Sequence, residues 1–114
     1  MASLEELRHV RIDKLGQLRN AGMHPYTVAS QRTHTNADVL AHFELLQEEK
    51  KNITSAGRIM AIRGQGAIIF VPLYDGTATL QAVFKEEVID PKLFTLFQDT
   101  IDMGDFIEVT GTLF

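Results

Sequence analysis

Residues 54–85 read TSAGRIMAIR-GQG-AIIFVPLY-DGTA-TLQAVFK, three strand-like runs parted by two glycine-bearing turns. The runs at 54–63, 67–74 and 79–85 follow a side-chain period of two and are rich in β-branched and aromatic residues. Gly64-Gln65-Gly66 and Asp75-Gly76-Thr77 are turn sequences. In the third run Leu80, Ala82 and Phe84 share one face, and Thr79, Gln81 and Val83 the other. In the second, Ile69, Val71 and Leu73 oppose Ile68, Phe70 and Pro72. Placing the aliphatic set inward sends Phe70 outward, together with Gln81 on the next strand.

On the C-terminal side, Asp90-Pro91 opens a helix, a capping side chain followed by proline at the first helical position. Its expected inward stripe is Leu93, Leu96, Phe97 and Ile101. Gly104 ends that connection, and 106–112 forms a fourth strand with Ile107 and Val109 on one side. On the N-terminal side the period is near 3.6. Leu4, Leu7, Arg11, Leu15 and Leu18 follow a helical spacing that Gly22 terminates, with Pro25 beyond it. A second helix starts at Thr35-Asn36, carries Val39, Leu40, Phe43 and Leu46 as its apolar stripe and ends near Lys50-Lys51. Helix, helix, then strand-strand-strand-helix-strand is the order of an OB-fold, a small mainly β barrel, behind a two-helix extension. The expected organisation is therefore an extension over 1–51 and an OB domain over 52–114. Strands one to four are present in this reading and the fifth, closing strand is missing. Its absence leaves open edges and suggests the front piece of a longer chain.

Composition narrows the functional classes. The chain has 114 residues, 45% of them hydrophobic, and a net charge of −4, so it makes one compact domain. No apolar run reaches the roughly 18 residues of a membrane span, and the start Met-Ala-Ser-Leu-Glu-Glu is no export signal. Without cysteine there is no disulfide scaffold, thiolate metal site or thiol nucleophile. Fifteen acids against eleven Lys/Arg argue against binding of duplex nucleic acid by charge alone. The layout is uneven, however. Residues 1–35 carry five basic side chains and three acids, 52–74 hold Arg58 and Arg63 and no acid, and 75–114 hold eight acids and two lysines. The middle strip is either buried sheet or an exposed neutral-to-basic face.

Phe70 and Gln81 on the open face, with Arg63 at the end of the first strand, would make a stacking platform ringed by hydrogen-bonding groups. Unpaired bases stack on such aromatics for about 1–3 kcal/mol each. Amide and guanidinium groups read base edges that only unpaired bases expose. The competing reading packs Phe70 under a loop or the helices. His9, His24, His34 and His42 have no ligand spacing, and Glu48-Glu49 and Glu86-Glu87 are adjacent pairs that face apart. No nucleophile stands with a base. These residues describe a binding module with no catalytic or metal site.

The run from Gly57 to Val71, continuing through Leu73-Tyr74-Asp75 to Leu80-Gln81, closely resembles the N-terminal anticodon-binding domain of class II lysyl-tRNA synthetases. So do Arg11-x-x-Lys14-Leu15-x-x-Leu18-Arg19-x-x-Gly22-x-x-Pro25-Tyr26, Thr33-His34-Thr35 and Gly104-Asp105-x-Ile107-x-Val109-x-Gly111-x-Leu113-Phe114. The resemblance covers nearly the whole chain. It implies that Phe70 stacks on the central anticodon uridine while Gln81 and Arg63 hydrogen-bond that base and its surroundings. It implies that Arg8, Lys14 and Arg19 on the first helix contact the tRNA backbone; Lys14 and Arg19 alternatively hold that helix to the barrel or to the rest of the enzyme. It further implies a cytoplasmic lysine–tRNA ligase whose partners are the tRNA-Lys anticodon stem-loop, the rest of the synthetase and a second copy in a homodimer. ATP and Mg2+ belong to that parent enzyme, and no cofactor to this chain, in which the class II catalytic motifs have no counterpart. The sequence departs from the family at Asp75-Gly76-Thr77-Ala78, where a glycine ordinarily precedes the third strand, and at Pro72 inside a strand. The alternative is a free-standing OB module for single-stranded nucleic acid or a protein.

Overall fold

The structure, a computed structural model, describes residues 3–27 and 29–114. Three helices come first: α1 (Leu4–Asn20), α2 (Asn36–Ala41) and α3 (Phe43–Glu48). Five strand segments and one more helix follow: β1 (Ile53–Ile59), β2 (Arg63–Gln65), β3 (Ile68–Tyr74), β4 (Thr79–Lys85), α4 (Pro91–Thr100) and β5 (Phe106–Gly111). The sheet runs β2-β3-β1-β5 with β4 on the other edge of β3, and every pairing is antiparallel. Among the described residues β4 and β5 do not pair, so the barrel stays open between them.

The five segments correspond to the four expected strands, because the first divides. β1 pairs with β3 as far as Ile59↔Leu73, and pairing resumes at Arg63↔Phe70. Three residues, Met60 to Ile62, thus stand opposite the two residues Val71 and Pro72, a bulge that bends the strand. Pro72 has no N–H to offer across this gap, while its carbonyl accepts the Met60 N–H at 3.0 Å. The proline sits where the ladder is already broken. Beyond the bulge Gly66 (φ +62°) and Ala67 close a two-residue hairpin, with glycine at the position that needs positive φ.

The inward set Ile69, Val71, Leu73 and Phe84 joins Ile59 and Phe94 in one buried cluster, against which Ala82, Ile107 and Val109 pack. Helix α4 plugs the open end. Asp90 caps it by accepting the Lys92 N–H at 2.8 Å, and Pro91 is its first residue. Phe97 meets Phe84 edge to face, with ring centroids 4.7 Å apart. The buried anchor of α4 is Phe94, whereas Leu93, expected inside, is exposed. Phe97 and Ile101 of the expected stripe do pack on the core, and Phe94, three residues before Phe97 and seven before Ile101, completes that face in place of Leu93.

The N-terminal helices are less regular than their periodicity suggests. Helix α1 buries no residue, and it ends where Gly22 (φ +85°) lets the Met23 and Gly22 N–H groups return to the Leu18 and Arg19 carbonyls. The expected second helix is broken at His42 (φ −116°) into α2 and α3. Val39 and Leu46 are buried, Leu40 is not. Thr35 caps α2 by accepting the Asp38 N–H at 3.1 Å.

Asn36 is the fully buried link between that helix and the sheet. Its Nδ2 donates to the Leu73 and Ala78 carbonyls (2.9 and 3.1 Å), and its Oδ1 accepts the Ser55 hydroxyl at 2.6 Å. Asp75 completes the joint. Its carboxylate accepts the Asn36 N–H at 2.8 Å and the Thr77 N–H and hydroxyl at 2.9 and 2.6 Å. Burial pushes the Asp75 carboxyl up, but these donors outweigh it and hold the group well below the usual carboxylate range. The unusual Asp75-Gly76-Thr77-Ala78 loop is therefore a four-residue turn organised from within by its own aspartate.

Candidate nucleic-acid interface

The outward face of the sheet is built by register. Arg63 stands opposite Phe70, and Phe70 opposite Val83; one step on, Pro72 stands opposite Gln81. Cross-strand partners point to the same side, and so do alternate residues along a strand. Phe70, Gln81 and Arg63 therefore share one face, with Gln81 diagonal to the ring. Phe70 is 38% exposed between Ile69 at 7% and Val71 at 0%. The ring is partly open to solvent. Gln81 and Arg63 are exposed as well.

Two constraints hold this corner in shape. A Cβ at Gly64 (φ +136°) would lie 2.2 Å from the Ile68 carbonyl oxygen, so only glycine lets β2 approach β3 closely enough to set Arg63 beside Phe70. Below the ring, Ile69 and Val71 anchor the same strand in the core. The ring is thus presented on a rigid element.

The same face continues to the other end of β3. Tyr74 pairs with Arg58, which also pairs with Phe106 of β5. The Arg58 guanidinium lies over the Phe106 ring at 4.8 Å. The neutral-to-basic strip of the sequence is thus both things at once: its alternate residues are core, and Arg58 and Arg63 are at the surface. A groove of about 560 Å³ opens here between the connector that precedes α2 and the β1–β5 pair. Sequence reasoning did not single out this end, although Arg58 and Tyr74 lay within the quoted run.

The basic candidates on α1 divide. Lys14 Nζ bonds both carboxylate oxygens of Asp102 at 2.8 Å, and Arg11 reaches Asp102 and Asp105. Burial pushes the Asp102 carboxyl up, and Lys14 and Arg11 more than reverse this, leaving it below its usual range. Lys14 and Arg11 therefore latch α1 to the loop between α4 and β5. Arg8 and Arg19 are exposed on the helix.

No helix of the described residues is long and apolar enough to cross a membrane. A family model for the OB-fold nucleic acid binding domain, of the tRNA anti-codon type, matches residues 53–114. Among curated relatives, a lysine–tRNA ligase of Carboxydothermus hydrogenoformans is 39% identical over 111 residues, covering 97% of this chain and 22% of the relative. One of Pelotomaculum thermopropionicum is 38% identical, covering 97% and 21%, and one of Thermosipho africanus 30% identical, covering 97% and 23%. The chain spans about a fifth of the length of these relatives.

Proposed function

The chain belongs to the family of OB-fold nucleic acid binding domains of the tRNA anti-codon type, and on that basis we propose that it reads the anticodon of tRNA-Lys for a lysine–tRNA ligase. The observation that carries this reading is the open Phe70 ring with Arg63 directly across the ladder and Gln81 on the diagonal. A base released from the anticodon stack gains about 1–3 kcal/mol on such a ring. The Gln81 amide offers a donor and an acceptor, matching the N3–H and a carbonyl of uracil. Arg63 offers donors only, so it suits uracil O4 and opposes the amino group that cytosine carries there. The central anticodon uridine is the base we assign to this corner.

In this reading residues 1–51 form the helical extension and 52–114 the anticodon-binding domain. Arg8 and Arg19 are its candidates for contacts with the anticodon-stem phosphates, and Lys14 serves chiefly as a latch. The parent reaction joins lysine to tRNA with cleavage of ATP to AMP and pyrophosphate, with Mg2+ as the expected metal. That chemistry, and the homodimer in which the parent would work, we assign to the rest of the synthetase. The discriminating experiment titrates the chain with a lysine anticodon stem-loop and with one bearing cytosine at the central position. Tighter binding of the uridine form, lost in Phe70→Ala, is the expected result. Equal affinity for both RNAs would remove the case for specific reading and leave a general single-strand binder.

A further inference from the structure

We propose that the two-residue turn at Gly66-Ala67 positions Arg63, and that the surplus residue in the first strand keeps this position independent of the core. Gly66 is then a positioning residue, acting on base discrimination through the Arg63 guanidinium. This rests on the reading of the Phe70 corner as the central-base site.

Side-chain parity carries the inference. β1 enters with Arg58 opposite Tyr74 and Ile59 opposite Leu73. Continued without a break, that register would set Ile62 opposite Phe70 and turn Arg63 inward, opposite the buried Ile69. A guanidinium there would enter the apolar cluster, where no polar partner awaits it. The observed register is one residue out of step, with Arg63 opposite Phe70 and Gly64 opposite Ile69. Ile62 and Arg63 are neighbours in sequence and both are exposed, which an unbroken half-buried strand does not allow. Arg58 and Arg63 would likewise point to opposite faces of a regular strand, and both are exposed.

Two separate anchors set the two registers. Ile59 lies in the core, its N–H donating to the Asp105 carbonyl and its carbonyl accepting the Gly104 N–H, both at 2.8 Å. At the other end the turn decides. Gln65 pairs with Ile68, so only Gly66 and Ala67 lie in the loop, and Gly66 adopts φ +62°. A two-residue hairpin loop fixes which residues pair behind it. Counted back from the turn, Gly64 meets Ile69 and Arg63 meets Phe70, whatever β1 does. The surplus residue between the anchors leaves the ladder at Met60–Ile62. Pro72 accepts the Met60 N–H but has no N–H to return to the Met60 carbonyl, so the pair is half made where the surplus is absorbed. The bulge thereby uncouples the hairpin that carries Arg63 from the strand that carries Ile59.

A Cβ at Gly66 would meet nothing within 4 Å, so a substitution there acts through the backbone angle alone. Asparagine tolerates that angle and valine does not. The probes are the lysine anticodon stem-loop and the same RNA with cytosine at the central position, titrated against the whole chain. Gly66→Val should lower the uridine preference as far as Arg63→Ala does, by roughly 10- to 150-fold, the range of one hydrogen bond to a charged group. Added to Arg63→Ala it should lower the preference no further. Gly66→Asn should keep the preference. So should deletion of Ala61, which lets the first strand run straight with Arg63 still opposite Phe70. In NMR spectra the cross-strand Hα contact between Gly64 and Ile69 should persist in Gly66→Asn and in the deletion, and vanish in Gly66→Val. The positioning proposal is overturned if Gly66→Val keeps the preference, if it loses the preference with that contact intact, or if the Ala61 deletion abolishes the preference. The anticodon reading then stands as long as Phe70→Ala and Arg63→Ala still weaken binding of the uridine RNA. If the unsubstituted chain shows no preference for uridine, both are overturned.

Discussion

At the scale of single residues, the side chains that matter most to the fold differ from those that matter to the face. Asn36 is fully buried and joins α2 to the sheet through three side-chain hydrogen bonds. Asn36→Ala would remove the amide partner of the Leu73 and Ala78 carbonyls and of the Ser55 hydroxyl, at a cost on the order of 3 kcal/mol. A urea midpoint lowered accordingly is the expected outcome, and an unchanged midpoint would refute the role given to this residue. Phe70→Ala should do the opposite. Its open ring contributes little to the core, so the midpoint should move by well under the 3–5 kcal/mol typical of buried phenylalanine truncations, while RNA affinity falls by about 1–3 kcal/mol. Melting without a binding change would mean that Phe70 is a packing residue.

At the scale of elements, α1 is the loosest part. It buries no residue and is fastened by Arg11 and Lys14 to Asp102 and Asp105. These ion pairs are partly exposed, so salt screens them. Asp102→Asn should speed amide hydrogen exchange in α1 and leave protection in β3 and β4 intact, and raising salt should produce the same pattern in the unsubstituted chain. Uniform acceleration across the whole molecule would mean that α1 and the barrel open as one unit. The hairpin of β2 and β3 is instead held by close backbone approach. Gly64→Ala would force a Cβ against the Ile68 carbonyl at a backbone angle alanine avoids, displacing Arg63 from Phe70. It should therefore weaken RNA binding as Arg63 truncation does.

At the scale of the whole molecule, two aspartates tie separate parts together: Asp75 joins the β3–β4 loop to α2, and Asp102 joins the barrel to α1. Both carboxyls lie below their ordinary value of 3.8 in the folded chain. Each binds its proton more readily when unfolded, so its stabilising effect is present above about pH 4 and is lost as pH falls through the folded value. Thermal midpoints should drop steeply below pH 4, and Asp75→Asn should flatten that drop; an unaltered acid slope would show that Asp75 does not drive it. Much of this architecture was legible in sequence. Alternation at 68–74 and 79–85 put Phe70 and Gln81 outside, and Asp90-Pro91 and Gly22 marked helix ends, because these are local consequences of side-chain period and backbone freedom. The break at Met60–Ile62, the phase of α4 that buries Phe94 in place of Leu93, and the split at His42 were not legible, since each depends on what the neighbouring strand or helix offers. The same holds for the site. Which residues could face outward was readable from the chain alone, because strand geometry alternates whatever surrounds it. That Arg63 lies across from Phe70, that Lys14 is tied to Asp102, and that Arg58, Tyr74 and Phe106 meet on one groove emerged with the folded molecule, because cross-strand register and long-range ion pairs are fixed by packing between segments far apart in the chain.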